Sequence, residues 1–416
     1  MEFAADFHIH SKYSRATSKE MNLDSLEKWA KIKGIKVLGT GDFTHPEWLK
    51  ELKEKLEPAE PGLFKIKHSN SEIRFILTTE ISCVYSKKQK VRKIHIIVFS
   101  PSFEVVEKIN THLSWIGNLK SDGRPTLGLD AKELTKIILN VSPDCLIVPG
   151  HIWTPWFSLF GSKSGFDSIE ECFEEYSKYI FAAETGLSSD PPMNWRLSTL
   201  DKITLISNSD SHSPTRIGRE ANVFNTEISY YAILKAIKEK DKQKFLYTIE
   251  FFPEEGKYHY DGHRFCGISL SPKESKKYNN LCPVCNKPLT IGVLNRVEQL
   301  ADRPEGFIPE NAIPFKSLIP LEEIIADALG VLPGTNQVEK EYKKLIENFQ
   351  NEFNVLLKVE KKDLEKITTP EIAEGIMKTR ERKVFVEPGY DGVYGKIRIF
   401  SQEEKKQGLK QGVLFK

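Results

Sequence analysis

The chain has no run of about eighteen apolar residues that would cross a bilayer. Its first residues also lack the charged-then-apolar pattern of a secretory leader. No membrane partner is therefore expected, and the compartment expected is the cytoplasm. A dominant charge is missing too: 60 Lys and Arg against 58 Asp and Glu leave a net +2 over 416 residues. That balance excludes a global basic field, so any nucleic-acid partner must be held by local patches. Methionine is scarce at four, which together with abundant lysine would suit a thermophile. Cysteine is sparse at six. Cys83, Cys145 and Cys172 lie scattered in apolar contexts and read as reduced core residues, whereas the other three cluster. Internal repeats and long disordered tracts are absent. What remains, 39% hydrophobic and 28% charged residues, is the composition of a soluble globular protein long enough for two or three domains.

The first 250 residues alternate short apolar runs with amphipathic segments. Seven strands are expected, in "FAADFHIH", "IKVLGTGD", "IRFILTTE", "KIHIIVFS", "CLIVPGH", "YIFAAETG" and "ITLISNSD". Between them lie helical stretches such as "LDSLEKWAKIKG", with Asp24 as N-cap and Gly34 past its end, "LDAKELTKIILN" and "SIEECFEEYSKY". Repeated strand–helix units with near-continuously apolar strands predict a parallel α/β sheet buried on both faces. Seven of them favour a barrel over an open sheet. From residue 251 to 295 the texture becomes polar and turn-rich. From 296 to 416 it is mostly helical, with a hairpin expected about Tyr390–Gly395 and a polar, mobile tail from 401 onward.

Among ten histidines, His8 and His10 stand one residue apart at the end of the first apolar run. In a strand, side chains at i and i+2 share a face. The other strand ends carry Asp42, Glu80, His151, Glu184, Asp210 and His212, with His95 inside its strand. In a barrel these ends converge on one mouth, where such folds do their chemistry. His68 and His112 read as surface residues. Mixed imidazole and carboxylate donors suit zinc, manganese or iron. Glu80 is the natural bridge, because a carboxylate can span two ions. Two ions about 3.5–4 Å apart can activate a water and stabilise both attacking and leaving oxygens of a phosphoester.

A second constellation is separate. His263-x2-Cys266, fifteen intervening residues and Cys282-x2-Cys285 present two close pairs, as a tetrahedral zinc requires. His259 is the rival of His263 for the fourth ligand.

These motifs carry a resemblance. His8-x-His10, "GTGDF", "TTE", His95, His151 and "SDSH" resemble the PHP (polymerase and histidinol phosphatase) domain, which implies a distorted seven-stranded (β/α) barrel with two or three metals. Carried over, His8, His10, Glu80 and Asp210 would hold one ion; Glu80, His95 and His151 a second; and His212, with Asp42 or His45, would contribute to a third. The chain departs from that pattern in reading "SKYSRA" after the H-x-H pair and Gly41-Asp42-Phe43 where relatives often read T-D-H. A barrel followed by a zinc ribbon and a helical tail, with "SDSHSPTRIGREAN", "YHYDGHRFCG" and "CPVCNKPLTIGVLNRVEQLADR", resembles the endonuclease Q family over nearly the whole chain. That resemblance implies nicking of DNA on the 5′ side of deaminated bases (uracil, hypoxanthine, xanthine) and of abasic sites. The implied cofactors are two or three divalent ions in the barrel (Zn, Mn or Mg) and one structural zinc.

Damaged DNA is accordingly the expected partner; the tail shows no convincing box for a sliding clamp, which stays open as a second partner. Arg216 and Arg219, just past "SDSHSPT", are candidate phosphate contacts. Trp153, Trp156, Phe157 and Phe160 are candidates to wedge into a base stack or wall a base pocket. The basic run Lys87–Lys93 reads as a solvated hairpin. Two other functions compete: a small-molecule phosphatase of the histidinol-phosphate type, for which the added segments are superfluous, and a non-catalytic DNA-binding protein, against which the ligand set argues.

Overall fold

The structure, a computed structural model, describes residues 1–401 together with Glu403 and Glu404. Most of the tail expected to be mobile, including 405–416, lies outside the described residues. Among those described, no helix is long and apolar enough to cross a membrane.

The fold is mixed α/β. All seven expected strand segments are extended, but the sheet is mixed rather than parallel. Across it run Phe315–Ser317, Phe245–Glu250, Ala221–Asn225, Glu2–Asp6, Ile35–Gly39 and Arg74–Lys87, continued by Lys90–Ser100 and Leu146–Pro149. Glu2–Asp6, Ile35–Gly39 and Arg74–Lys87 are parallel neighbours, whereas Lys90–Ser100 returns antiparallel. The cause is a tight hairpin whose central residues, Lys88 and Gln89, both adopt positive φ (50° and 61°), a turn that matches strand twist. Its Lys87 is paired with Asp130 and Glu174. Ala182–Glu184 and Thr204–Ile206 form a separate parallel pair.

Among the described residues the hydrogen-bond ladders therefore do not close a ring, yet the strands share one interior. Phe7, Val37, Ile76, Ile97, Val148, Ala182 and Ile206 belong to a single buried cluster. Their alternates Leu38, Phe75, Ile96, Ile147 and Ala183 pack in a second cluster with helix residues Leu26, Trp48, Ile109 and Leu134, the period-two division expected of a sheet buried on both faces. Side chains span the seam between Thr204–Ile206 and Glu2–Asp6. The Phe7 amide donates to Asn208 Oδ1 (2.9 Å), the Ser209 amide to Asp6 Oδ1 (3.1 Å), and the Asn222 amide group to Asn208 Oδ1 (2.9 Å). Buried backbone groups that a ladder would satisfy thus find side-chain partners instead.

The first helix, Leu23–Lys33, is capped by Asn22 rather than Asp24, because Asn22 Oδ1 accepts the Ser25 amide (3.1 Å). It ends at Gly34, whose φ of 90° needs glycine and where a Cβ would sit 2.6 Å from Asn351 Oδ1. Among the described residues, five helices follow the sheet strand Phe315–Ser317: Leu321–Leu329, Asn336–Phe349, Glu352–Leu357, Lys361–Ile367 and Pro370–Arg380. That strand lies within 296–416 but pairs with Phe245–Glu250, so the last segment is not confined to helices. Phe385–Glu387 and Lys396–Arg398 pair antiparallel around the Tyr390–Gly395 turn.

Glu352 fastens these helices to the first one. Its Oε2 accepts from Lys33 Nζ (2.6 Å) and the Tyr342 hydroxyl (2.5 Å), and its Oε1 accepts from the Leu321 amide (3.0 Å). Removing one partner of a buried pair strands the other charge. Glu352→Ala is expected to lose about 3–5 kcal/mol in urea unfolding, and the double change Lys33→Met, Glu352→Leu should recover most of it.

Candidate metal centre

His8 and His10 lie just past the first strand, where Ile9 makes a lone bridge to Ser211. That bridge sets the H-x-H pair beside Asp210. Glu80 is in the middle of Arg74–Lys87, not at its end, and faces Ile97 across the hairpin, while His95 faces Ser82. Glu80 and His95 are therefore diagonal neighbours on one face. Asp42, His151 and Asp210 all have left-handed backbone, with φ of 50°, 29° and 46°. Non-glycine residues hold that conformation at a cost of about 1–3 kcal/mol each, and such residues concentrate at functional sites.

Two donor sets share Glu80. His8, His10, Glu80 and Asp210 place four donor atoms within 4.8 Å of one another, and Glu80, His95 and His151 place three within the same limit. Glu80 Oε2 is 3.5 Å from His8 Nε2 and 3.3 Å from His10 Nε2, and Asp210 Oδ1 is 3.1 Å from His10 Nε2. Glu80 Oε1 faces the other way, 2.6 Å from His95 Nδ1 and 3.1 Å from His151 Nε2. His8 Nε2, His10 Nε2 and Asp210 Oδ1 are buried without a hydrogen-bond partner. Buried polar atoms left in this way, converging with imidazole and carboxylate chemistry, fit divalent cations.

A second layer turns the ligands. His8 Nδ1 faces Glu184 Oε1 at 3.0 Å and His10 Nδ1 faces Asp42 Oδ1 at 3.0 Å, so each ring's Nε2 is left as the lone-pair atom. His151 Nδ1 rests 3.1 Å from Thr154 Oγ1. Burial depresses the pKa of His8 and His10, but the carboxylates of Glu184, Glu80 and Asp42 outweigh it and raise both well above the ordinary value. Burial alone dominates at His95, which falls to about 4. Glu80 is held well below the carboxylate range, because the His95, His8 and Arg124 charges overcome its burial.

Several expectations change. Asp42 is not among the donors: its Oδ1 orients His10, and its Oδ2 accepts from the Ser11 amide (2.6 Å), the Ser11 hydroxyl (2.7 Å) and Ser14 (2.9 Å). Glu184 likewise supports His8 and also accepts the His151 amide (2.8 Å). His212 lies at the rim, its ring 4.6 Å from His10 and its Nδ1 donating to the Asp210 carbonyl (2.9 Å). His45 stacks on Tyr13 at 4.5 Å. Among the described residues, Asp42, His45 and His212 belong to no third donor set. Arg216 is paired with Glu323 (2.6 Å), and Arg219 Nε donates to the Ser209 carbonyl (2.9 Å). Trp153 and Phe160 are core residues, in ring contact at 4.9 Å, with Trp153 Nε1 donating to Asn194 (2.7 Å). Phe157 covers His95 at 4.8 Å, and Trp156, 44% exposed, meets Tyr258. Arg124, not singled out from sequence, donates from Nη1 to Glu80 Oε2 at 3.0 Å. Its one sequence signal is a lone arginine in the turn-rich "SDGRPT".

Far from Glu80 in sequence, His263, Cys266, Cys282 and Cys285 also bring four donor atoms within 4.8 Å. His263 ends a strand, Asp261–His263, and its Nδ1 is 3.7 Å from Cys285 Sγ. Three thiols with one imidazole suit zinc. His259, the rival for the fourth ligand, is not in this donor set; it is 5% exposed and packs beside Tyr260. All six cysteines are free thiols, with Cys83, Cys145 and Cys172 buried.

The profile of the MJ0043 C-terminal domain matches residues 320–383. The uncharacterised protein MJ0043 of Methanocaldococcus jannaschii is 36% identical over 263 residues, 61% of this chain; the chain spans about a third (32%) of that protein's length. The uncharacterised protein YqxK of Bacillus subtilis is 29% identical, covering 95% of this chain and 98% of its own. The crystal structure of the lesion-specific endonuclease PfuEndoQ from Pyrococcus furiosus superposes with a TM-score of 0.85 at 31% identity, over 98% of this chain and 99% of that one. A structure of endonuclease Q with a 27-mer duplex bearing an abasic lesion at its active site superposes with a TM-score of 0.84 at 31% identity, over 97% of this chain and 98% of that one.

Elemental analysis should separate the roles of these residues. Glu80→Gln is expected to lose ions from both Glu80 sets and Asp210→Asn from one, while Asp42→Asn should weaken metal affinity about 10–100-fold. Cys282→Ser should lose one zinc and leave the Glu80 sets loaded. A second expectation concerns pH. Burial pulls His259 from 6.5 to about 4, so the unfolded chain takes up that proton first as pH falls. Its contribution, roughly 3 kcal/mol, is complete above the unfolded value and fades toward pH 4. The stability difference between wild type and His259→Gln should shrink correspondingly between pH 7 and pH 5.

Proposed function

The chain belongs to the endonuclease Q family, and from that premise we propose that it is a metal-dependent DNA endonuclease that opens the backbone on the 5′ side of a damaged nucleotide. The observation that carries this reading is the pair of donor sets joined through Glu80, with three buried donor atoms left unpartnered. His8, His10, Glu80 and Asp210 would hold one ion, and Glu80, His95 and His151 a second. Ions there would supply an activated water and positive charge for the phosphate oxygens. In the reaction a water oxygen bonds to phosphorus, the P–O3′ bond breaks, and the departing O3′ takes a proton. The products are a 3′-hydroxyl and a 5′-phosphate.

The substrates inferred are duplexes carrying abasic sites, uracil, hypoxanthine or xanthine. A cavity of about 220 Å³ lies between Trp156 and Tyr258, with His259 in its wall. It adjoins Thr154, which faces the ring of His151. An extruded base placed there would lie beside the loop that carries His151. Extrusion costs a few kcal/mol and is easiest at a mispaired or missing base. We read residues 1–250 as a distorted seven-stranded (β/α) barrel completed at its edge by Phe315–Ser317, 251–295 as a zinc module, and the remainder as a mostly helical part.

Labelled duplexes incubated with manganese or magnesium test the reading. Abasic and uracil strands should be cut, uracil opposite guanine faster than uracil opposite adenine, and single strands should be cut too. Equal rates on all uracil contexts would remove the unpairing step. Asp210→Ala and His8→Ala should lose cleavage by several orders of magnitude while lesion-duplex affinity changes little, since phosphate contacts are spread over many side chains. Hydrolysis of histidinol phosphate without nicking of DNA would replace this reading by a small-ester phosphatase.

A further inference from the structure

We propose that Arg124 is a phosphate ligand of the metal mouth, holding a non-bridging oxygen of the scissile phosphodiester; this deepens the reading above and rests on it. Among the described residues, Arg124 is the one Lys or Arg paired with a member of the Glu80 donor sets, through Nη1 to Glu80 Oε2 at 3.0 Å. The two arginines that sequence alone favours are paired away from the donor sets, Arg216 with Glu323 and Arg219 with the Ser209 carbonyl. A guanidinium carries five N–H donors in a planar fork. One is directed at Glu80, and the side chain is 27% exposed, so the rest of the fork is open to a ligand entering from solvent.

The loop that presents Arg124 is built to hold it still. The Gly123 amide donates to the Tyr13 carbonyl (3.0 Å), Thr44 Oγ1 donates to the Gly123 carbonyl (3.3 Å), and the Ser82 amide donates to the Pro125 carbonyl (3.0 Å). Gly123 lies so close to the second-layer carboxylate that a Cβ would come within 2.3 Å of Asp42 Oδ2 and 2.4 Å of Ser14 Oγ. Residue 123 must therefore be glycine for the loop to reach the centre, and the group it delivers there is Arg124. The electrostatics point the same way. Ions held by Glu80 and Asp210 would attract a phosphodiester to the mouth. A rigid guanidinium beside Glu80 adds directed N–H donors that can stabilise the charge developing on a phosphate oxygen as the pentavalent state forms.

The test uses the full chain loaded with manganese, comparing wild type with Arg124→Ala, Arg124→Gln and Arg124→Lys. Metal content should equal wild type in all three. Inorganic phosphate, titrated without DNA, should bind the Ala and Gln variants about tenfold more weakly. Single-turnover cleavage of an abasic duplex should fall about 10²–10³-fold with KM nearly unchanged, and added guanidinium should partly rescue Arg124→Ala. Arg124→Lys should lie between. Loss of an ion from the Ala and Gln variants, or unchanged phosphate affinity, would overturn the proposal and reduce Arg124 to a support for Glu80. Failure of the wild type to cut any lesion duplex would sink the functional reading instead, and the phosphate titration would still decide Arg124.

Discussion

Two groups of donors meet on the two oxygens of Glu80, and much of the molecule is arranged to deliver that one buried carboxylate. A carboxylate with no solvent access is costly unless cations or donors face it. Here two imidazole-bearing loops, one hairpin strand and Arg124 all do so. The long hairpin places Glu80 and His95 on one face, and its antiparallel return explains why the sheet is mixed. Behind the donors, Asp42 and Glu184 fix which nitrogen of His10 and His8 points forward, and the strained backbones at Asp42, His151 and Asp210 record the tightness of that fit.

The same constraint accounts for the seam beside the first strand. His8, His10 and Asp210 come from strands whose backbones do not pair along their length, so Asp6, Asn208 and Asn222 bridge the gap with side chains. Asn208 also donates to Glu184 at 2.9 Å. One polar network thus closes the sheet and braces the ligand layer. A break there would loosen both.

The segments beyond residue 250 are bonded into this frame. Arg296 donates to the carbonyls of Phe160 (3.0 Å) and Phe166 (3.1 Å), gripping the loop that follows His151. Arg196 reaches Glu298 at 2.6 Å, and Phe315–Ser317 extends the sheet itself. Pro253, Tyr258, His259 and Val293 accordingly share one cavity wall with Thr154 and Trp156 of that loop.

What the sequence alone determined is the chemistry and its order along the chain. H-x-H, "TTE", "SDSH" and the Cys-x2-Cys pair are local patterns, and a side chain's donor type is written in its residue name. Near-continuous apolar runs likewise marked the seven strands, because a sheet buried on both faces needs apolar residues at successive positions. Partner choice is different in kind. Asp42 and Asp210 are both acids at strand ends, yet one orients a ring and the other offers a bare oxygen. Arg216 and Arg219 sit beside the motif but turn to Glu323 and Ser209, while Arg124 arrives from a loop 44 residues past Glu80. Trp153 and Trp156 are three apart, and only the second faces solvent. Only the tertiary structure decided these, because a charge or a ring takes whichever partner the fold brings within a few ångströms, and sequence separation does not measure that distance.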